Sequence, residues 1–220
     1  NTFLALRNTD DLKSILQADP AYKMYSYYDS LQKVTQTELK KNQQKLNGLY
    51  GKYMLALQEQ YAGKAFYPDA NSTMRVTYGK VEGVTPKDGM QYTFQTTLDG
   101  MMQKGRDDQE EFHLPAKLKE LYQTKDYGNY AITVNNKKTV PLAFLASNHT
   151  TGGNSGSPVI NAKGELIGTN FDRIWEGTMS DILFDPNLCR NITLDIRFTL
   201  FIIEKFGGCK WLIDEMKLVR

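Results

Sequence analysis

Hydrophobic residues change their spacing near residue 70, and this change divides the chain into two parts. In the first part they recur every three to four positions, as on one face of a helix. The members of this stripe are Leu46, Tyr50, Tyr53, Leu57 and Tyr61. Pro20 suits a first helical turn, and between it and about Ala62 only two glycines weaken a helix. The pattern predicts one long helix of roughly 40 residues.

A shorter helix is predicted over residues 8–17, where Asn8 or Thr9 suits the N-cap and acidic residues fill the first turn. The apolar stripe of the long helix is thin, so we expect the helix to pack on another helix outside this chain. A free coiled-coil dimer is the alternative, although the stripe does not continue as a sustained heptad.

The second part of the chain alternates short strand-like and helical segments, which predicts an α+β fold. A turn at residues 161–164 (NAKG) joins two strands into a hairpin, and Gly207-Gly208 ends a helix. The predicted strands are residues 74–82, 140–147, 158–161 and 165–172. The predicted helices are residues 114–122, 197–206 and 210–218, and a loop with a short helix is predicted over residues 88–105.

Composition and charge exclude several classes of protein. The chain has 220 residues, of which 40% are hydrophobic and 24% charged, so it is not wholly disordered. Its net charge of +2, with both signs interspersed, gives no reason to expect nucleic acid as a partner. The most apolar run, residues 198–206, is too short for a membrane span. The chain begins at Asn1, and we expect it to be a piece of a longer protein.

Cysteines and histidines do not predict a metal site. Cys189 and Cys209 are 20 residues apart, lack a CxxC spacing and lie far from both histidines. A disulfide between them stays open, since their spacing alone does not decide it. We expect neither a metal nor a cofactor.

One short motif has the composition of a nucleophile loop. Residues 151–159 read TGGNSGSPV, and glycines on both sides of Asn154 and Ser155 allow a sharp turn with positive φ. Such a turn aims successive N–H groups at one point, where they can bind a developing oxyanion. Ser155 lies at the edge of that turn with its hydroxyl exposed, as a nucleophile requires. The alternatives are a plain Gly/Ser-rich turn and a strand-to-helix elbow, but Pro158 begins a strand.

The sequence GNSGSP resembles the GDSGGP-type loop of chymotrypsin-fold serine peptidases, whose nucleophile needs a histidine base oriented by a carboxylate. Neither histidine of this chain has that context. His149 is six residues before Ser155 on the same loop and is expected to line the pocket. His113 precedes a helix, where a capping or surface role fits. In this fold the histidine and aspartate come from the first barrel, so we expect that barrel to lie outside this chain.

In this fold the strand after the serine hairpin forms a wall of the S1 pocket. Here that strand ends in two charged residues. Arg173 there would pair with both oxygens of a substrate carboxylate and so select Asp or Glu at P1. Asp172, beside it, could bind the free α-amino group of a peptide, which would fix the number of residues removed. A solvated Asp-Arg pair at a strand end is the alternative.

Several segments together resemble the bacterial dipeptidyl-peptidase 7 and 11 family of serine peptidases. These segments are residues 151–159, 170–173 (NFDR), 175–181 (WEGTMSD), 195–197 (DIR), 206–209 (FGGC) and 212–215 (LIDE). The resemblance implies a chymotrypsin-like double β-barrel capped by a helical domain. It also implies a periplasmic or surface-associated homodimer of Gram-negative bacteria, which releases dipeptides from oligopeptides with a free N-terminus.

The resemblance assigns Ser155 as the catalytic nucleophile, with the N–H groups of Gly153 and Ser155 as the oxyanion hole. It makes residues 1–70 the end of the helical cap domain, and residues 71–220 the second β-barrel with its C-terminal helices. The family's catalytic histidine and aspartate, and an asparagine that clamps the substrate amine, have no counterpart in these 220 residues. We therefore expect this chain to be inactive alone.

The resemblance also assigns the substrate-binding residues. Asp172 helps hold the substrate amine, and Asn170 and Phe171 belong to the same strand end. Arg173 matches the residue that marks the branch with Asp or Glu at P1, whereas a glycine would mark the branch that prefers a hydrophobic P1. We therefore expect the release of N-terminal dipeptides with an acidic P1 residue.

Three other functions stay open. The first is a hydrophobic-P1 dipeptidyl-peptidase of the same family, and the second is an endopeptidase with a basic S1 pocket. The third is a non-catalytic module that binds peptide ends or protein partners through residues 25–28 and the long helix.

Overall fold

The computed structural model describes residues 12–66 and 71–219. The chain divides into two compact units, Asn1–Asn71 and Ser72–Arg220. The first unit contains α1 (Leu12–Ala18) and α2 (Pro20–Gln60). The predicted long helix is confirmed, with 41 residues. The short helix is confirmed from Leu12 onward, and its predicted N-cap, Asn8 or Thr9, lies outside the described residues.

The start of α2 follows from two residues. The Asp19 carboxylate accepts the N–H of Tyr22 at 2.9 Å, which satisfies one of the donors that a first helical turn leaves unpaired. Pro20 takes the first helical position, where no N–H is needed. Tyr50 and Tyr53 of the predicted stripe are exposed, so the residues that the structure describes do not bury this stripe.

The second unit is built on nine short strands and four helices among its described residues. The strands are β1 (Val84–Lys87), β2 (Met90–Tyr92), β3 (Gln95–Thr97), β4 (Ile132–Val134), β5 (Lys137–Thr139), β6 (Pro141–Ala146), β7 (Pro158–Ile160), β8 (Leu166–Arg173) and β9 (Asn191–Asp195). The helices are α3 (Leu98–Lys104), α4 (Ala116–Thr124), α5 (Ile196–Phe201) and α6 (Lys210–Asp214). A π-helical turn, Ile202–Phe206, continues α5.

Five strands form one antiparallel sheet in the order β3-β6-β9-β8-β7. The remaining strands form two hairpins, β1-β2 and β4-β5. The core lies where α5 packs against the sheet. Phe201 is fully buried there and packs edge to face against Tyr127, with 6.2 Å between the ring centroids. The unit is therefore α+β with antiparallel sheets, as predicted. Gly208, in the left-handed region at φ +71°, follows the π-turn that Gly207 ends.

The hairpin predicted after Ser155 is confirmed, because β7 pairs with β8 from Pro158↔Thr169 to Ile160↔Leu166. The predicted strand at residues 140–147 is β6, and the predicted helix at residues 114–122 is α4, shifted by two residues. The helix predicted over residues 197–206 is α5 with its π-turn, and α6 is the shorter form of the last predicted helix. The short helix predicted within residues 88–105 is α3.

The strand predicted over residues 74–82 is wrong. Only Val81 forms a bridge, to Ala146 of β6, and the neighbouring backbone bonds run from Glu82 to Leu145 and from Ser147 to Lys80. On this edge of β6, β3 already pairs with its first residues, and β6 ends at Ala146. The earlier residues of the segment therefore have no strand edge to join.

The strands β1, β2 and β3 were not predicted, because runs of three or four residues are too short to show an alternation. Cys189 and Cys209 are both free thiols. No helix within residues 12–66 or 71–219 is long and apolar enough to cross a membrane.

Candidate active site

The loop between β6 and β7 makes a tight turn around Ser155, and we call residues 151–157 the serine loop. Gly153 has φ +95° and Gly156 has φ +83°, a region that residues with a side chain rarely adopt. The N–H of Asn154 donates to the Thr151 carbonyl at 3.1 Å. Ser155 is exposed at the tip of this turn.

The two N–H groups predicted for the oxyanion hole flank a third N–H group in the serine loop. Within the part of the chain that the structure describes, the N–H groups of Gly153 and Ser155 donate no hydrogen bond, whereas that of Asn154 between them is paired. Gly156 N–H donates to the Asn170 carbonyl at 2.8 Å. The turn thus offers two donors, one on each side of a paired one, which an oxyanion can accept.

The Ser155 hydroxyl donates to the carbonyl of Phe171 at 3.2 Å, so β8 lies directly beside the predicted nucleophile. His149 Nε2 lies 3.0 Å from the Ser180 carbonyl, and its ring stacks on Phe184 with 4.4 Å between centroids. His113 is exposed at the end of a 3₁₀ turn. Neither geometry is that of a base hydrogen-bonded to the serine hydroxyl.

Arg75 holds the serine loop from its solvent side. Its Nη2 donates to Asn154 Oδ1 at 3.0 Å and to Thr151 Oγ1 at 3.3 Å. Asn154 Oδ1 also accepts the N–H of Thr151 at 3.0 Å. Sequence reasoning missed Arg75, because it lies 76 residues before Thr151 in the segment that was predicted as a strand.

Asn170 holds the same loop from the inside. Its Nδ2 donates to the Asn154 carbonyl at 3.1 Å, and its N–H donates to the Ser157 carbonyl at 2.9 Å. Asn191 Nδ2 donates to Asn170 Oδ1 at 2.8 Å, and both asparagines are buried. The side chain of Asn170, which was predicted to bind substrate, is thus hydrogen-bonded within the chain.

A β-bulge shapes the end of β8. Asn170 pairs with Thr193 and Asp172 with Ile192, so the register shifts at Phe171. Bulges bend a strand and re-aim its side chains, and they are common next to active sites. Phe171 is half exposed. The exposed Asp172 carboxylate accepts the N–H of Arg173 at 2.8 Å. We call residues 171–173 the arginine end of β8.

The guanidinium of Arg173 is fixed by two neighbours. Its two Nη atoms donate to the two carboxylate oxygens of Asp181, at 2.8 and 2.6 Å, and Nη1 also donates to Ser180 Oγ at 2.6 Å. The hydrogen bond from Arg173 lowers the pKa of Asp181. Nε–H and the second Nη2–H donate to nothing among the described residues, and they form the other edge of the guanidinium fork.

Sequence reasoning also missed Asp181 and Asn191. Asp181 belongs to the motif at residues 175–181, but nothing in that motif shows that its carboxylate meets Arg173. Asn191 carries a weak signal: the inward positions of β9 are Asn191, Thr193 and Asp195, which are polar yet buried. Polar residues on the inner face of a central strand require hydrogen-bond partners.

Known proteins match this chain over most of its length. The profile of the family described as Peptidase S46 matches residues 1–218. The Asp/Glu-specific dipeptidyl-peptidase of Flavobacterium psychrophilum is 55% identical over 175 residues, which cover 80% of this chain and 24% of that protein. The dipeptidyl-peptidase 7 of Phocaeicola vulgatus is 50% identical over 192 residues, which cover 87% of this chain and 26% of that protein.

The fold is similar to that of a solved relative. A crystal structure of Porphyromonas endodontalis DPP11 in complex with substrate has a TM-score of 0.67 and 48% sequence identity, and the match covers 74% of this chain and 23% of that chain. This chain spans about a quarter of the length of the curated relatives it matches. Since the family profile covers 218 of its 220 residues, the chain belongs to the peptidase S46 family.

Proposed function

We propose that this chain is the nucleophile-bearing part of a longer serine exopeptidase, which releases N-terminal dipeptides with Asp or Glu at P1. The observation that carries the proposal is the contact between the serine loop and the arginine end of β8: Ser155 bonds to Phe171, two residues before Arg173. The proposed nucleophile and a cation of fixed orientation thus lie at the same end of β8. Two relatives with this specificity in their names share half or more of the aligned residues.

In the proposed mechanism Ser155 attacks the carbonyl carbon of the second peptide bond. A histidine from a part of the protein outside this chain takes the hydroxyl proton, and an aspartate orients that histidine. The oxyanion accepts the N–H groups of Gly153 and Ser155. The amine of the shortened peptide leaves with the proton, and water then hydrolyses the acyl-enzyme to release the dipeptide.

Specificity would come from the arginine end of β8. Asp181 occupies the Nη edge of Arg173, so a P1 carboxylate would take the free edge formed by Nε and Nη2. Asp172 is exposed beside it and would bind the substrate's α-amino group. Together these contacts would set both the acidic P1 and the two-residue product.

The proposal includes the architecture of the whole protein. Residues 71–220 would form the second barrel of a chymotrypsin-like pair with its C-terminal helices, and residues 1–70 the end of a helical cap domain. The exposed apolar stripe of α2 would then pack on other helices of that cap. We further propose a homodimer in the periplasm or at the cell surface of a Gram-negative bacterium, with no cofactor and no nucleic-acid partner.

One observation favours a second candidate, a dipeptidyl-peptidase with hydrophobic P1. Asp181 neutralises Arg173 in this structure, and a pocket whose charges cancel attracts a carboxylate less strongly. Relatives named dipeptidyl-peptidase 7 also match this chain. Hydrolysis of dipeptidyl reporters with Asp or with Leu at P1 separates the two candidates.

The proposal is tested on the full-length protein that contains this chain. Reporters of the form Xaa-Asp and Xaa-Glu should be cleaved when their N-terminus is free and should resist when it is acetylated. Cleavage of the acetylated reporters would indicate an endopeptidase. Failure of a fluorophosphonate probe to label Ser155 in the complete protein would favour a non-catalytic binding module.

A further inference from the structure

We propose that Asn191 is a positioning residue for the serine loop, acting through Asn170 on the peptide group between Asn154 and Ser155. The inference rests on the proposed function, because it assumes that the N–H of Ser155 stabilises an oxyanion. It concerns a residue that touches neither substrate nor nucleophile, and that lies on the central strand β9.

Two hydrogen bonds in series connect Asn191 with the loop. Asn191 Nδ2 donates to Asn170 Oδ1 at 2.8 Å, and Asn170 Nδ2 donates to the Asn154 carbonyl at 3.1 Å. Asn191 is 1% and Asn170 4% exposed. Water therefore does not compete for these bonds, and buried bonds of this kind hold their geometry.

The direction of the series is fixed by its last acceptor. A carbonyl oxygen can only accept, so Asn170 must present its NH₂ group to Asn154. Its side-chain oxygen then faces Asn191, which must in turn present its own NH₂ group. Each amide thus has one allowed orientation.

This orientation has a cost at Asn191. Its Oδ1 is buried and has no hydrogen-bond partner among the described residues, and such an unpaired acceptor destabilises a folded protein. Its Nδ2, by contrast, serves two acceptors, Asn170 Oδ1 and Thr193 Oγ1 at 3.3 Å. The donor side of Asn191 is therefore the part that the fold uses.

The bond to Asn154 controls the direction of a catalytic donor. The carbonyl of Asn154 and the N–H of Ser155 belong to the same planar trans peptide group, so they point in opposite directions. When Asn170 holds the oxygen, it also aims the N–H. The hydrogen bond from the Gly156 N–H to the Asn170 carbonyl, at 2.8 Å, fixes the next peptide group. Loss of Asn191 should therefore misalign the oxyanion hole without touching the substrate.

The test compares three variants of the full-length protein. Asn191→Leu keeps the volume and removes the donor. Asn191→Asp keeps the shape and, assayed at a pH where its carboxyl is ionised, can only accept. With a carboxylate there, the Asn170 amide should turn over and aim its oxygen at the Asn154 carbonyl. The matched control is Thr199→Val in α5, which removes a buried hydroxyl that, like Asn191 Oδ1, has no hydrogen-bond partner among the described residues.

We expect both Asn191 variants to lower kcat about 10- to 100-fold, since the loss of one oxyanion donor costs about 100- to 1,000-fold, and to change KM less than about threefold. Asn191→Asp should be at least as slow as Asn191→Leu. Affinity for a peptide boronic acid, which mimics the tetrahedral intermediate, should fall with kcat/KM, whereas affinity for the product dipeptide should not change. Thr199→Val should keep the wild-type kcat.

Rates are divided by the concentration of active sites titrated with a fluorophosphonate. Unfolded molecules in a preparation therefore do not lower the measured kcat. If Asn191→Leu does not fold, Asn191→Asp decides alone. Wild-type kcat in the Asn191 variants, with Ser155→Ala inactive, would overturn this inference and leave the proposed function standing. Full activity of Ser155→Ala would instead overturn the proposed function.

Discussion

The serine loop and the arginine end of β8 are in direct contact, yet different forces hold them. The serine loop is fixed from the inside by neutral amides and backbone groups, with Asn170 at 4% exposure. The arginine end is fixed by an ion pair, in which the Asp181 side chain is 53% exposed. Neutral buried bonds do not depend on salt or pH, whereas an exposed ion pair depends on both.

This difference suits the two tasks that we propose. Stabilising an oxyanion requires donors that do not move during the reaction, and the buried amides around Asn154 supply that. Recognising a carboxylate requires donors that remain available at the surface, and Arg173 keeps one edge of its guanidinium unpaired among the described residues. Changes to the two regions should therefore affect different kinetic constants.

The largest effect is expected for Ser155→Ala in the full-length protein. Removal of the nucleophile should lower kcat by about 10,000-fold or more, and binding of a product dipeptide should be retained, because the arginine end is unchanged. Reporter hydrolysis measures kcat, and calorimetric titration measures binding of the dipeptide. Retained turnover would remove Ser155 from the mechanism.

The next effect tests the arginine end. Arg173→Lys keeps the charge but loses the fork, and we expect kcat/KM for Asp reporters to fall about 30-fold, since a hydrogen bond to a charged group is worth about 1.5–3 kcal/mol. Arg173→Gly should go further and shift preference toward an apolar P1. Ratios of kcat/KM for Asp and Leu reporters measure both.

Arg197→Lys is a matched control for Arg173→Lys. Arg197 also makes a two-contact pair with an aspartate, Asp195, at 2.9 and 2.7 Å, but it lies at the start of α5. Its replacement should leave the P1 preference unchanged. Equal shifts in the two variants would mean that Arg173 has no special place in substrate recognition.

A smaller effect is expected at Arg75, on the exposed side of the serine loop. Arg75→Gln removes a charged donor from Asn154 and Thr151, a contact worth about 0.5–1.5 kcal/mol, so kcat should fall about two- to tenfold with little change in KM. Arg106→Gln, at another exposed arginine, should have no effect. A change confined to KM would contradict the role of Arg75 in loop geometry.

The smallest effect concerns stability in acid. The hydrogen bond from Arg173 lowers the pKa of Asp181 below its ordinary value of 3.8, so the pair stabilises the folded chain above about that pH and loses this contribution as pH falls through the lowered pKa. Asp181→Asn should lower the urea midpoint at pH 6, and the two proteins should converge as pH drops below 3.8.

Asp88→Asn serves as the control for Asp181→Asn, because Asp88 lies in an exposed turn between β1 and β2. Its urea midpoint should follow that of the unchanged chain at each pH. If the difference in urea midpoint between Asp181→Asn and the unchanged chain does not narrow in acid, the ion pair is not the source of that difference.

The sequence predicted those parts of the fold whose signal is local. The long helix α2, the β7-β8 hairpin and α5 each follow from a repeat, a turn or a glycine stop within a few residues. The strand β9 was not predicted, because Asn191, Thr193 and Asp195 reverse the usual rule of apolar residues inside. The wrong strand at residues 74–82 did alternate, but the sheet offered it no free edge.

The same limit applies to the site. The spacing of glycines around Ser155 indicated a tight turn, and the structure has that turn, with positive φ at Gly153 and Gly156. The side chains that hold this turn come from distant parts of the chain, because Arg75 lies far before residues 151–157 and Asn191 lies far after them. Their roles depend on which strands pair, and no local pattern encodes that pairing.

A crystal structure of the full-length protein, inhibited by a dipeptidyl phosphonate with aspartate at P1, would test the central claim most directly. We predict a covalent bond to Ser155 Oγ, with a phosphonyl oxygen accepting the N–H groups of Gly153 and Ser155. We also predict the P1 carboxylate on the Nε and Nη2 edge of Arg173, with Asp181 still on the other edge. A P1 side chain that points away from Arg173, or a phosphonyl oxygen outside the serine loop, would contradict the account.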